Sequence, residues 1–100
     1  MLTTDQIKKT VSAYFSDKPV KKVYLFGSYA RKEADESSDV DLLVDLNYEE
    51  KIGWQYFIWS EDLQQILGSK VDVVSSKGLS PYLAPFIHKE KQLLYDRSGG

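Results

Sequence analysis

The chain has no cysteine, one histidine and three prolines among its 100 residues. Without cysteine there is no disulfide and no thiolate zinc site, and His88 alone cannot build a histidine cluster. Any metal site must therefore draw mainly on oxygen ligands, the donor chemistry of Mg²⁺ or Mn²⁺. No apolar run approaches the ~18 residues of a membrane span. The opening MLTTDQIKK lacks the basic-then-apolar pattern of an export signal. The expected setting is the cytoplasm, with no membrane partner. An excess of positive charge is also missing, since 13 basic against 15 acidic side chains leave a net charge of −2. No overall basic field is present to hold nucleic acid by its phosphates.

What remains is ordinary globular material. A hydrophobic content of 42% with 28% charged residues excludes a disordered chain. The length suits one domain, read as 1–97, with Ser98-Gly99-Gly100 as a loose tail. Ile7, Val11, Tyr14 and Phe15 mark an amphipathic helix, with Thr3 and Gln6 as a capping box. Lys22–Phe26 reads as a buried strand closed by Gly27, and Ser28–Ala34 as a helix with Ser28 at its N-cap. Asp39–Asp45 alternates acid and aliphatic at its start, which predicts a strand with one polar face. A second amphipathic helix spans Ile52–Leu67, with Ile52, Tyr56, Trp59, Leu63, Ile66 and Leu67 as its stripe and Gly68 as its stop. Lys70–Val74 is a third strand, Leu79–Ile87 a short helix broken by Pro81 and Pro85, and Gln92–Tyr95 a last strand. This α-β-α-β-α-β-α-β order predicts an α/β protein, with helices packed on a mixed sheet of about four strands.

Three features bear on chemistry. Gly27-Ser28 sits at a strand-to-helix junction, where free backbone N–H groups and the helix dipole suit a phosphate. Taken alone, it reads as an ordinary turn with a capping serine. Asp39 and Asp41 leave the same face of a strand, and carboxylates about 6 Å apart repel by roughly 3 kcal/mol at an effective dielectric of about 20. Exposure, a basic partner or a divalent cation would relieve that repulsion. Asp45 shares their parity but stands ~13 Å beyond Asp41, and reads as peripheral. Asp72 is an acid among valines in Lys70-Val71-Asp72-Val73-Val74, which strand propensity disfavours. If its strand adjoins that of Asp39 and Asp41, three carboxylates converge, a set that two Mg²⁺ ions about 4 Å apart would bridge.

These residues carry a resemblance. LFGSYAR, ten residues between Ser28 and Asp39, then DVDLLVD, then VDVV, is similar to the minimal nucleotidyltransferases of the DNA polymerase β superfamily. GLSPYLAPFI and the ending QLLYD resemble the closing helix and strand of those proteins, so the likeness covers nearly the whole chain. It implies transfer of a nucleoside monophosphate from a triphosphate to a hydroxyl, with release of pyrophosphate and ATP as donor. Gly27 and Ser28 would hold the β- and γ-phosphates, Asp39 and Asp41 both Mg²⁺ ions, and Asp72 the ion near the attacking hydroxyl, whose proton it helps accept. Arg31 matches the family pattern and is assigned to phosphate or structural support. The family often has glycine where this chain has Lys32.

The chain also resembles the antitoxin half of bacterial toxin–antitoxin modules, whose partner is an all-helical HEPN-type ribonuclease. In such pairs the nucleotidyltransferase attaches AMP to a tyrosine of the toxin. With no room for an acceptor-gripping domain, the acceptor is expected to bring its own docking surface. Trp54, Phe57 and Ile58 point away from their helix's stripe, either toward such a partner or under another element such as the C-terminal helix. Tyr82, Phe86 and His88 read as packing. The alternative to an enzyme is a non-catalytic module that neutralises a partner sterically, although such a module gains nothing from clustered, uncompensated carboxylates.

Overall fold

A computed structural model describes residues 2–47 and 55–97. Helix α1 (Thr4–Phe15) starts at the expected capping box: Thr3 accepts from the Gln6 amide, and the Gln6 side chain accepts from the Thr3 amide. Its buried residues, Ile7, Val11 and Phe15, follow the expected spacing. Strands β1 (Val20–Phe26), β2 (Val40–Leu46), β3 (Val71–Ser75) and β4 (Gln92–Asp96) form one sheet in the order β3-β2-β1-β4. The β2–β3 pair is parallel and the pairs of β1 with β2 and with β4 are antiparallel, so the sheet is mixed.

Helices α1 and α2 (Gln55–Leu67) share a core with one face of this sheet. Val23 and Leu25 of β1, Val40, Leu42 and Val44 of β2 and Val71 of β3 supply the sheet side. Phe15 and Trp59 meet edge to face at 5.5 Å, a geometry worth about 0.5–1.5 kcal/mol beyond the area buried. Tyr14 donates a 2.6 Å hydrogen bond to Asp62, tying α1 to α2. Burial together with this contact pushes the Tyr14 hydroxyl well above the ordinary tyrosine range. Leu63 is fully buried, but Ile66 is 58% exposed. It lies outside the packed stripe, over a shallow groove shared with Lys9, Thr10, Ala13 and Tyr14. Ile52, Trp54, the Tyr56 side chain and the tail 98–100 fall outside the described residues.

The helix expected at Ser28–Ala34 is a single turn. The Arg31 amide bonds to the Gly27 carbonyl at 3.1 Å; the Lys32 and Glu33 amides then close back onto Tyr29 and Ser28. This is a Schellman closure, with Lys32 in the left-handed conformation at φ +61°. Burial of Tyr29 and Ala30 holds the turn against the core, so tertiary anchoring overrides local helix propensity. At the other end of the chain, Pro85 occupies the first turn of α3 (Ala84–Glu90), where a missing N–H costs nothing. The expected break is therefore a helix start. A short 3₁₀ turn, Ser76–Gly78, follows β3 directly.

Candidate active site

Register brings the sequence's acidic motifs together. Phe26, the last residue of β1, pairs with Asp41 in β2, and Asp41 pairs with Asp72 in β3. The three positions lie side by side across neighbouring strands about 4.8 Å apart. Antiparallel pairing sets the end of β1 beside the start of β2, and parallel pairing sets the starts of β2 and β3 together. Asp39 precedes β2 and makes a 3.7 Å ion pair with Lys70, just before β3.

Gly27 continues from Phe26 with φ +78°, a conformation that favours glycine. A Cβ at this position would collide with Asp41 Oδ2 and stand 3.0 Å from Asp41 Cγ. The close backbone approach that glycine permits is made here to this carboxylate.

Asp41 is half-buried and its carboxyl is pushed up to about 6. Burial is the largest cause, followed by the charges of Asp72 and Asp39, while Arg31 pulls in the opposite direction. Asp41 also joins two cavities. One, of about 440 Å³, is lined by Gly27, Ser28, Arg31, Asp39 and Glu90. The other, of about 500 Å³, is lined by Asp72, Val74, Gly78 and Ser80, and Phe26, Leu83 and Ile87 border both. The donor set is all carboxylate oxygen and carries more negative charge than its neighbours offset, which fits a hard divalent cation. Among the described residues, no three acidic or histidine side chains are yet closed around one point.

Glu90, at the end of α3, is a residue that sequence reasoning missed. Its Oε2 accepts the Gly27 amide at 2.5 Å, and both carboxylate oxygens accept from Arg31 Nη1 at 3.1 Å. Arg31 also pairs with Glu33 at 2.7 Å. No local pattern marks Glu90, because its contacts reach 59 and 63 residues back along the chain. Asp45 lines neither cavity and accepts from the Ser76 hydroxyl at 3.3 Å.

Three residues expected to pack are exposed instead. Tyr82 and Phe86 are 86% and 68% exposed, and His88 is also at the surface, with Lys91 Nζ 2.9 Å from its Nδ1. Ile87 is the buried residue of the short α3, and Phe86 beside it is left uncovered. On α2, Phe57 is likewise 72% exposed.

The profile of the family described as "Polymerase beta, Nucleotidyltransferase" matches residues 6–99. The protein adenylyltransferase MntA of Thermococcus cleftensis is 37% identical over 95 residues, covering 90% of this chain and 94% of that protein. MJ1379 of Methanocaldococcus jannaschii, named as a candidate protein adenylyltransferase, is 37% identical over 101 residues, covering 95% and 99%. A solved complex of a tri-AMPylated Shewanella oneidensis HEPN toxin with an MNT antitoxin contains a similar chain. It superposes with a TM-score of 0.67 at 19% identity, covering 96% of this chain and 76% of that one, which bears on the fold alone.

Proposed function

Because the chain belongs to the polymerase beta nucleotidyltransferase family, we propose that it transfers AMP from ATP to a protein hydroxyl and releases pyrophosphate. The acceptor is a tyrosine of a HEPN-type ribonuclease toxin in the cytoplasm, which the modification silences, so the chain acts as an antitoxin. The observation that carries this reading is the strand register of Phe26, Asp41 and Asp72, with Asp41 shared by two cavities. A nucleotide in one cavity and an acceptor in the other would meet at Asp41.

Asp39 and Asp41 would hold two Mg²⁺ ions, and Asp72 the one on the acceptor side. Bound there, the ions would offset triphosphate charge and make the acceptor hydroxyl more acidic. The backbone of Gly27 and Ser28 binds the β- and γ-phosphates, and Arg31 adds positive charge beside them. The acceptor oxygen forms a bond to the α-phosphorus while the bond from that phosphorus to the α–β bridging oxygen breaks. The acceptor's proton passes to Asp72, and pyrophosphate leaves along the Gly27-Ser28 turn. Positioning and charge neutralisation do most of the work.

The name of the Thermococcus relative supports a protein acceptor, and the pairing of a like-folded chain with an AMPylated HEPN toxin motivates the choice of partner. The apolar surface beside the cavities, where Tyr82, Leu83 and Phe86 are exposed, also supports a protein acceptor. Label transfer from α-labelled ATP tests the proposal, using purified protein, Mg²⁺ and its HEPN-type partner, with Asp41→Asn in parallel. A labelled partner with the wild type only is the expected result. Neutralisation by Asp41→Asn as complete as that by the wild type, with no label on the partner, would overturn it in favour of steric inhibition.

A further inference from the structure

Glu90 presents two carboxylate oxygens to the donors that the nucleotide reading assigns to phosphate. One oxygen takes the Gly27 N–H at 2.5 Å, and the Arg31 guanidinium reaches both at 3.1 Å. A backbone amide at a tight glycine turn, paired with an arginine, is a typical subsite for a phosphate oxygen. The carboxylate is held there firmly, with a side chain only 18% exposed. Glu90 also lines the cavity that contains Gly27, Ser28, Arg31, Asp39 and Asp41, and its charge adds to the field that disfavours ionised Asp41.

We propose that Glu90 is an internal stand-in for phosphate, which the triphosphate must displace from Gly27 and Arg31 before it can seat. The inference rests on the nucleotidyl-transfer reading. An anion cannot share the Gly27 N–H with a carboxylate already bonded to it, and Glu90 also occupies Nη1 of Arg31, whose Nε is taken by Glu33. The closed form, with Glu90 in place, is therefore incompetent for triphosphate, and the measured affinity falls by the fraction of molecules that are open. Because Glu90 ends α3, its release removes a tie between the Gly27 turn and the helix that carries Phe86 and Ile87 along the cavity wall. ATP entry and rearrangement of that wall are thus coupled. Opening also leaves Arg31 paired with Glu33 alone, free to turn toward the incoming phosphate.

Calorimetric titration of the whole chain with ATP and Mg²⁺ tests this, comparing wild type with Glu90→Gln and Glu90→Ala. Glutamine keeps the length and an acceptor for the Gly27 amide but removes the charge; alanine removes both. Both variants are expected to bind ATP more tightly, by about tenfold if the open form is about a tenth of the wild-type population. In the wild type, the Gly27 amide resonance should shift on adding ATP, and in Glu90→Ala it should already be displaced without nucleotide. Unchanged or weaker binding by two folded variants would overturn the inference, because Glu90 would then be a support for the turn rather than its competitor. Should alanine unfold the chain, the glutamine variant decides the matter on the same criterion. Absence of ATP binding by wild type and variants alike would instead overturn the nucleotide reading itself, and this inference with it.

Discussion

Gly27 and Asp41 are packed so closely that no side chain fits between them. The glycine backbone sits at φ +78°, and a Cβ there would overlap the Asp41 carboxylate. Strain and collision therefore act together in Gly27→Ala, which should lose at least ~1 kcal/mol of stability along with nucleotide binding. Trimming the partner in Gly27→Ala/Asp41→Ala should recover the part due to collision, so the two losses will not add. Denaturant unfolding of the two single variants and the double variant measures this coupling. Strict additivity would show that the collision contributes nothing.

The acidity of Asp41 makes stability depend on pH in a defined direction. Its folded value of about 6 lies above the ordinary 3.8, so the folded chain holds this proton more tightly than the unfolded chain. The contribution favours folding in full below about pH 4 and is lost as pH rises through about 6. Asp41→Asn should therefore melt higher than wild type in EDTA at pH 7.5, with the difference shrinking toward pH 4. Added Mg²⁺ should raise the wild-type melting temperature and leave that of Asp41→Asn nearly unchanged. Melting curves across that pH range, with and without Mg²⁺, supply the check, and a pH-independent difference would contradict it.

Lys32 occupies the left-handed closing position of the turn after Gly27, at φ +61°. Glycine takes this conformation without the Cβ penalty. Lys32→Gly should stabilise the chain by about 1 kcal/mol, raising the melting temperature by roughly 4–8 °C. Lys32→Ala should show no such gain, since alanine keeps the Cβ. An equal rise in both variants would point to lysine charge rather than backbone strain.

Tyr82 is 86% exposed and lines neither cavity. If the partner docks over α3, Tyr82→Ser should lower label transfer to the HEPN-type protein by about tenfold, the loss of one anchoring aromatic at an interface. Its melting temperature and calorimetric ATP affinity should match those of the wild type. Unchanged transfer would move the docking surface elsewhere, with Phe57 on α2 the next position to substitute.

Much of this protein is determined locally. Period and capping are properties of neighbouring residues, so the α1 capping box, the buried Ile7, Val11 and Phe15 and all four strands are legible in the chain itself. The same holds for Gly27, Ser28, Asp39, Asp41 and Asp72 as candidates, because short motifs and an acid among valines stand out without a fold. Register was beyond local reading: only the parallel pairing of β2 with β3 sets Asp72 beside Asp41. Tertiary structure also replaced the expected helix after Ser28 with one turn, as burial of Tyr29 and Ala30 outweighed the modest propensity of a short segment. It left Tyr82 and Phe86 uncovered, since apolarity predicts burial only where another element arrives to supply it. Glu90 makes the same point most sharply: its bonds to Gly27 and Arg31 close loops of about sixty residues, and such a contact exists only once the sheet has brought the two ends of the chain together.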